Sequence, residues 1–178
     1  MTRLASVLRR ARRDDGYTLI ELLIVTVVLG TVIGSLTLLF VNASKAELEM
    51  NRRFQAQQDA RVAVDKMRRE IHCADSITPT GVSAAITVHL PGQCPSAGGT
   101  STNVIYDVVG SGQRWQLRRN TVVLADYATE QNAFEYFAPV AGTSLGRLRV
   151  TLPINLDPST TEKEWRLVAD IVLRNTTR

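Results

Sequence analysis

The chain has 178 residues, of which 44% are hydrophobic and 21% are charged, and its formal net charge is +4. This length suits one domain of ordinary size and excludes an array of several soluble domains. Most of the positive balance lies before residue 17, where five arginines stand against two aspartates: Arg3, Arg9, Arg10, Arg12 and Arg13, with Asp14 and Asp15. The basic charge therefore says little about a surface that binds nucleic acid.

The first predicted element is a membrane-spanning helix over residues 17–41, an apolar run in which Glu21 is the only charged residue. About 20 apolar residues are enough to cross a bilayer as a helix. The arginines before the run predict that the N-terminus stays in the cytoplasm and that the rest of the chain is exported. A lone carboxylate in lipid indicates a functional position whose partner must be found.

A cationic partner for Glu21 would arise if the chain were cut after Gly16. The new α-amino group would belong to Tyr17, four residues before Glu21, and residues at this spacing are neighbours on a helix. Glycine suits the position before a cut because it has no Cβ, so a protease can approach the backbone closely.

The stretch Gly16-Tyr17-Thr18-Leu19-Ile20-Glu21 resembles the prepilin cleavage and methylation motif of type IV pilins, competence pseudopilins and type II secretion pseudopilins. The resemblance implies that a membrane prepilin peptidase cuts after Gly16 and methylates the new amine of Tyr17. It also implies that Glu21 pairs with the N-terminal amine of a neighbouring subunit during filament assembly. The implied partners are other pilins or pseudopilins and an inner-membrane assembly platform.

Two simpler interpretations of this end are a secretory signal peptide and an ordinary single-pass anchor. A signal peptide has an apolar region of about 7 to 15 residues, followed by a cleavage site with small residues. Here the apolar run is longer and the glycine precedes it. The prepilin interpretation is the one we favour.

The second predicted element is an amphipathic stalk helix over residues 42–76, continuous with the first. Seven residues recur at spacings near three and four in this glycine-free and proline-free stretch: Ala46, Met50, Phe54, Arg61, Val64, Met67 and Ile71. We expect its second half to pack on the following domain. The segments 58–71 and 172–175 are similar to PilW-type minor pilins and J-type minor pseudopilins.

Residues 77–178 are predicted to form a β-rich exported head. Short runs with β-branched or alternating residues, separated by turn formers, predict strands at 85–90, 104–109, 114–119, 121–126, 133–137, 146–154 and 165–174. The expected fold is therefore α+β, with one long N-terminal helix packed on an antiparallel sheet. Residues 1–16 are the expected cytoplasmic leader.

The two cysteines, Cys73 and Cys94, both fall in the part of the chain predicted to be exported. An oxidising environment permits a disulfide there, which would tie the end of the stalk helix to the loop after the first predicted strand. Two free buried thiols are the alternative. The cysteines lack metal-ligand spacing, so we expect no metal and no cofactor.

The sequence contains none of the common catalytic motifs, and we expect no enzymatic activity. Five arginines could bind phosphate if they lay together on one surface, so a nucleic-acid partner is left open: Arg114, Arg118, Arg119, Arg147 and Arg149. Scattered solvated side chains are the simpler interpretation. We expect a minor pilin or pseudopilin that is anchored in the cytoplasmic membrane and then joins a surface or periplasmic filament. The alternative is a membrane-anchored exported domain that binds DNA or a cell-surface ligand and does not polymerise.

Overall fold

The structure, a computed structural model, describes residues 17–157 and 164–175. One long helix, α1, runs over Leu19–Cys73 and is followed by strands β1 to β9. The strand bounds are β1 Ser76–Thr78, β2 Gly81–Ser83, β3 Ala85–Leu90, β4 Thr102–Ser111, β5 Arg114–Arg119, β6 Val122–Ala128, β7 Phe134–Phe137, β8 Arg147–Ile154 and β9 Trp165–Val172, with a short 3-10 turn at Pro95–Ala97.

The chain divides into two compact units, the first ending at Leu48 and the second beginning at Glu49. The described part of the first unit consists of residues 17–48, and it is helical from Leu19 onward. The second unit contains the remainder of α1 and all of the described strands. The second half of the long helix therefore belongs structurally with the sheet.

The strands form one antiparallel sheet in the order β1-β3-β4-β5-β6-β8-β7-β2, with β9 paired to β8. The strands β1 and β2 lie at opposite ends of this order, yet only Pro79 and Thr80 separate them in sequence. Three steps of about 3.8 Å between consecutive Cα atoms can span at most about 11 Å. The sheet must therefore curl until its two ends approach each other.

The core of the second unit lies between the inner face of this curled sheet and one face of α1. The buried positions of the helix recur at spacings of three and four and begin with small residues: Ala56, Ala60, Ala63, Val64, Met67, Glu70 and Ile71. The small side chains let the helix approach the sheet closely. Met50 and Phe54 are 71% and 67% exposed, so the stripe that faces the sheet begins later than the periodicity predicted.

The predicted α+β architecture is confirmed, and two of the predicted strands, 85–90 and 114–119, have the observed bounds of β3 and β5. The helix ends at Cys73 rather than near residue 76, because the chain turns directly into β1. There the Asp75 amide donates to the His89 carbonyl at 3.3 Å. The strands β1 and β2 were not predicted, since three residues are too few to show alternation.

The hairpin between β5 and β6 turns one residue later than the sequence predicts. Asn120 and Thr121 both have positive φ, 44° and 75°, so Thr121 lies in the turn and not in β6. The Asn120 side-chain oxygen accepts a hydrogen bond from the Ile105 amide, and the Asn120 amide donates to the Ile105 carbonyl, each at 2.8 Å. These two bonds secure the turn to β4 and offset the strain of left-handed backbone at a β-branched residue.

Candidate functional site

Two residues separate the start of the long helix from the predicted cut. Tyr17 and Thr18 are not helical, and α1 starts at Leu19. The Glu21 amide donates to the Thr18 hydroxyl at 3.3 Å and to the Thr18 carbonyl at 3.0 Å. Thr18 is therefore the N-cap of α1, and Glu21 lies in the first turn, where a carboxylate interacts favourably with the helix dipole. Gly16, the residue before the predicted cut, lies outside the described residues.

Tyr17 and Glu21 do not share the helical geometry that their spacing of four suggested. Because Tyr17 precedes the N-cap, the backbone that carries its nitrogen is not part of α1. The expectation that the two residues are i,i+4 neighbours on one helix is therefore wrong. Both side chains are exposed within the chain, Tyr17 to 78%. Helical spacing therefore does not place the Tyr17 nitrogen beside the Glu21 carboxylate.

The N-terminal part of α1 is long and apolar enough to cross a membrane, and the residues of its most apolar stretch are not buried inside the chain. Its hydroxyl side chains donate to carbonyls of the preceding turn at 2.8 to 2.9 Å: Thr26, Thr31, Ser35 and Thr37. A hydroxyl that is satisfied within its own helix is less costly in lipid than an unpaired one. The one ionisable side chain in this apolar stretch of α1 is Glu21.

The C-terminal end of α1 is held by covalent and polar contacts within the second unit. Cys73 and Cys94 form a disulfide, with their Cα atoms 5.8 Å apart. The carbonyl of Cys73 accepts a hydrogen bond from the Asn175 side chain at 3.1 Å, and His72 Nδ1 lies 2.8 Å from the Val172 carbonyl. The disulfide and the two polar contacts therefore attach the last turn of the helix both to the loop after β3 and to the segment that ends β9.

A buried polar cluster joins α1 to the middle of the sheet, and the sequence had not indicated it. Glu70 lies near the end of α1, and its side chain is 1% exposed. Tyr106 on β4 donates its hydroxyl to Glu70 Oε2 at 2.6 Å, and Arg119 on β5 donates its Nε to both carboxylate oxygens at 3.1 Å. Tyr106 and Arg119 are directly paired across the two strands. The helix carboxylate is therefore satisfied from two neighbouring strands at once.

The electrostatics of this cluster follow from burial and from the Glu70 charge. Burial raises the pKa of Tyr106, and its hydrogen bond to Glu70 and the nearby negative charge raise that pKa further. Burial by itself would lower the pKa of Arg119, but the hydrogen bond and charge of Glu70 outweigh it, so that the pKa is raised. Tyr106 is accordingly a neutral donor and Arg119 a fixed cation across the ordinary pH range.

The five arginines that left a nucleic-acid partner open are engaged in contacts with residues of the sheet or of α1. Their partners are Asp126 for Arg114, Asp107 for Arg118, Glu70 for Arg119, Glu135 and Asp170 for Arg149, and the ring of Phe137 for Arg147. A guanidinium paired with a carboxylate presents little net charge to a phosphate. The structure therefore does not bring these residues together as one unpaired basic surface.

Residues 11–37 match the prokaryotic N-terminal methylation motif. This segment contains the predicted cleavage position after Gly16, the N-cap Thr18 and the charged Glu21. No curated protein and no solved structure matches the chain. The chain thus carries the type IV pilin-like prepilin motif at its N-terminal end, the motif of precursors that prepilin peptidase processes and that assemble with other pilins.

Proposed function

We propose that this chain, whose N-terminus is that of a type IV pilin-like precursor, is a minor pilin or pseudopilin that enters a membrane-derived filament and has no enzymatic activity. The observation that carries the proposal is Glu21, a single carboxylate in the first turn of an apolar helix and inside the matched methylation motif. A charge at that place is costly in lipid unless assembly gives it a partner.

Processing would create that partner. Cleavage after Gly16 leaves Tyr17 as the first residue, and its methylated amine remains a cation. Since Tyr17 precedes the N-cap Thr18, the amine is not placed over the Glu21 carboxylate by the turns of the helix. This geometry favours pairing between the Glu21 of one subunit and the amine of another, with the pair setting how far one helix is shifted against the next.

The apolar part of α1 would serve successively in lipid and in the filament. Before assembly its exposed apolar side chains are covered by lipid, and after assembly they are covered by like helices of other subunits. The hydroxyls of this stretch are already bonded within the helix, so the transfer leaves no hydroxyl unsatisfied.

The proposed location is the cytoplasmic membrane, with the N-terminus inside and the head exported, followed by a filament at the surface or in the periplasm. The arginines before residue 17 support this orientation. The Cys73–Cys94 disulfide supports it independently, because structural disulfides persist in oxidising compartments. The partners would be other pilins or pseudopilins, the prepilin peptidase and an assembly platform in the membrane.

The proposed subtype is a PilW-type minor pilin or a J-type minor pseudopilin. Its support is the likeness of residues 58–71, the segment of α1 that packs on the sheet, and of residues 172–175 at the end of β9. The alternative, an anchored binding domain, draws less support because the head arginines are paired with carboxylates or stacked on an aromatic ring.

The assembly role can be tested by replacing Glu21 with alanine in the native host. We expect Glu21→Ala to be cleaved and inserted in the membrane but to be depleted from sheared or purified filaments. The matched control is Glu47→Ala, which removes a carboxylate from α1 outside the apolar run and should enter filaments normally. Normal incorporation of Glu21→Ala would refute the charge-pair role, and absence of the wild-type chain from filaments would favour the anchored binding domain.

A further inference from the structure

The disulfide Cys73–Cys94 encloses the segment through which the curled sheet closes. The enclosed loop contains β1, β2 and β3. The strands β1 and β3 lie at one end of the sheet, whereas β2 pairs with β7 at the other end. Completion of the sheet therefore requires this enclosed loop to contact both sheet ends at the same time.

In the completed head, Cys94 is inaccessible. Its side chain is 2% exposed and belongs to the hydrophobic core. The Cys94 amide donates to the Pro91 carbonyl, and the Cys94 carbonyl accepts from the Ala97 amide, each at 2.9 Å. The same loop is closed so tightly that a Cβ on Gly92 would lie 2.9 Å from the Gly99 carbonyl oxygen. A protein-sized reagent cannot reach the Cys94 sulfur through this loop.

We infer that the chain is the substrate of a thiol–disulfide oxidant outside the cytoplasmic membrane, that this oxidant acts before the sheet closes, and that Cys73 is the thiol it engages first. The inference rests on the exported head of the proposed function and not on filament assembly. Cys73 is favoured because it leaves the membrane before Cys94 as the chain is exported.

The proposed exchange balances in two steps. The Cys73 thiolate attacks one sulfur of the oxidant's disulfide, so that a Cys73–oxidant bond forms and the oxidant's own S–S bond breaks. The Cys94 thiolate then attacks the Cys73 sulfur, the Cys73–Cys94 bond forms, and the oxidant leaves as a dithiol. Counted from the thiols, the two cysteines lose two electrons and two protons, and the two sulfurs of the oxidant gain both as it becomes a dithiol.

The order of events can be measured by pulse-labelling the full chain in cells and quenching samples with acid. Free thiols are then alkylated with a maleimide that shifts the band on a gel, and parallel samples are treated with protease before quenching. We expect the oxidised species to precede the protease-resistant head. A protease-resistant head in which both thiols are still free, and are therefore alkylated after denaturation, would overturn the inference.

The identity of the first thiol can be tested with two matched variants. Cys94→Ser leaves Cys73 without a resolving thiol and should accumulate a reducible adduct with the oxidant, at several times the level seen with Cys73→Ser. Since the adduct forms before folding, the result does not depend on either variant reaching the folded state. Equal adducts, or more with Cys73→Ser, would overturn the assignment. Cleavage after Gly16, scored in the same samples, reports separately on the proposed function.

Discussion

Removing Glu70 from its buried contact with Tyr106 and Arg119 should cost the head a large share of its stability. Replacing Glu70 with alanine leaves the Tyr106 hydroxyl and the Arg119 cation without their common acceptor. Removing one partner of a buried ion pair costs about 3 to 5 kcal/mol, and the lower end applies because the Arg119 side chain is still 20% exposed. Tyr106→Phe removes one hydrogen bond to a charged acceptor and should cost about 1.5 kcal/mol.

The assay is chemical unfolding of the full chain in detergent, followed by tryptophan fluorescence. The chain has two tryptophans, and both lie in the second unit, Trp115 on β5 and Trp165 on β9. The signal therefore reports on the head and not on the apolar N-terminal part of α1. The free energy of unfolding should fall in the order wild type, Tyr106→Phe, Glu70→Ala.

A surface ion pair on the same helix provides the control for this prediction. Asp65 and Arg68 are in contact at 2.9 Å, but their side chains are 63% and 46% exposed. Exposed pairs contribute less than about 1 kcal/mol, so Asp65→Ala should be nearly neutral. If Glu70→Ala lowered the free energy of unfolding no more than Asp65→Ala does, the predicted cost of leaving Tyr106 and Arg119 without their acceptor would be refuted.

Two further predictions concern the sheet. Gly110→Ala should destabilise the head by about 1 to 3 kcal/mol in the same unfolding assay. A Cβ at that position would collide with the Arg114 carbonyl and lie 2.8 Å from the Trp115 Cα across the β4–β5 hairpin. An unchanged midpoint would contradict this packing. Burial works to raise the pKa of Asp126, but hydrogen bonds from Arg114, the Tyr127 amide and Gln116 outweigh it, and the pKa falls below 3.8. The stability that Asp126 provides is therefore fully present above pH 3.8 and is lost as the pH falls through the lowered pKa. The difference in free energy of unfolding between wild type and Asp126→Asn should shrink below that pH. A constant difference would argue against the ion pair.

The features that could be predicted from the sequence depend on local patterns. The long apolar helix follows from one unbroken apolar run, and the α+β architecture follows from a helical period that gives way to short alternating strands. The position of Glu21 stands out because a charge in such a run needs an explanation. These signals can be recognised from neighbouring residues alone.

The features that the sequence did not indicate depend on distant residues. Glu70 and Arg119 are separated by 49 positions, and Glu70 has the appearance of one more charge on a solvated helix face. The strands β1 and β2 are short, and their pairing is determined by how the sheet curls. The N-cap at Thr18 follows the usual residue preference, but its consequence for Tyr17 required the observed start of the helix.

The most direct test of the central proposal is the mass of the N-terminal peptide of the chain isolated from filaments of its native host. The account predicts a chain that begins at Tyr17 with a methylated α-amino group, which supplies the cation that Glu21 requires. A filament-borne chain that still begins at Met1, or that has been cut at a different position, would contradict it.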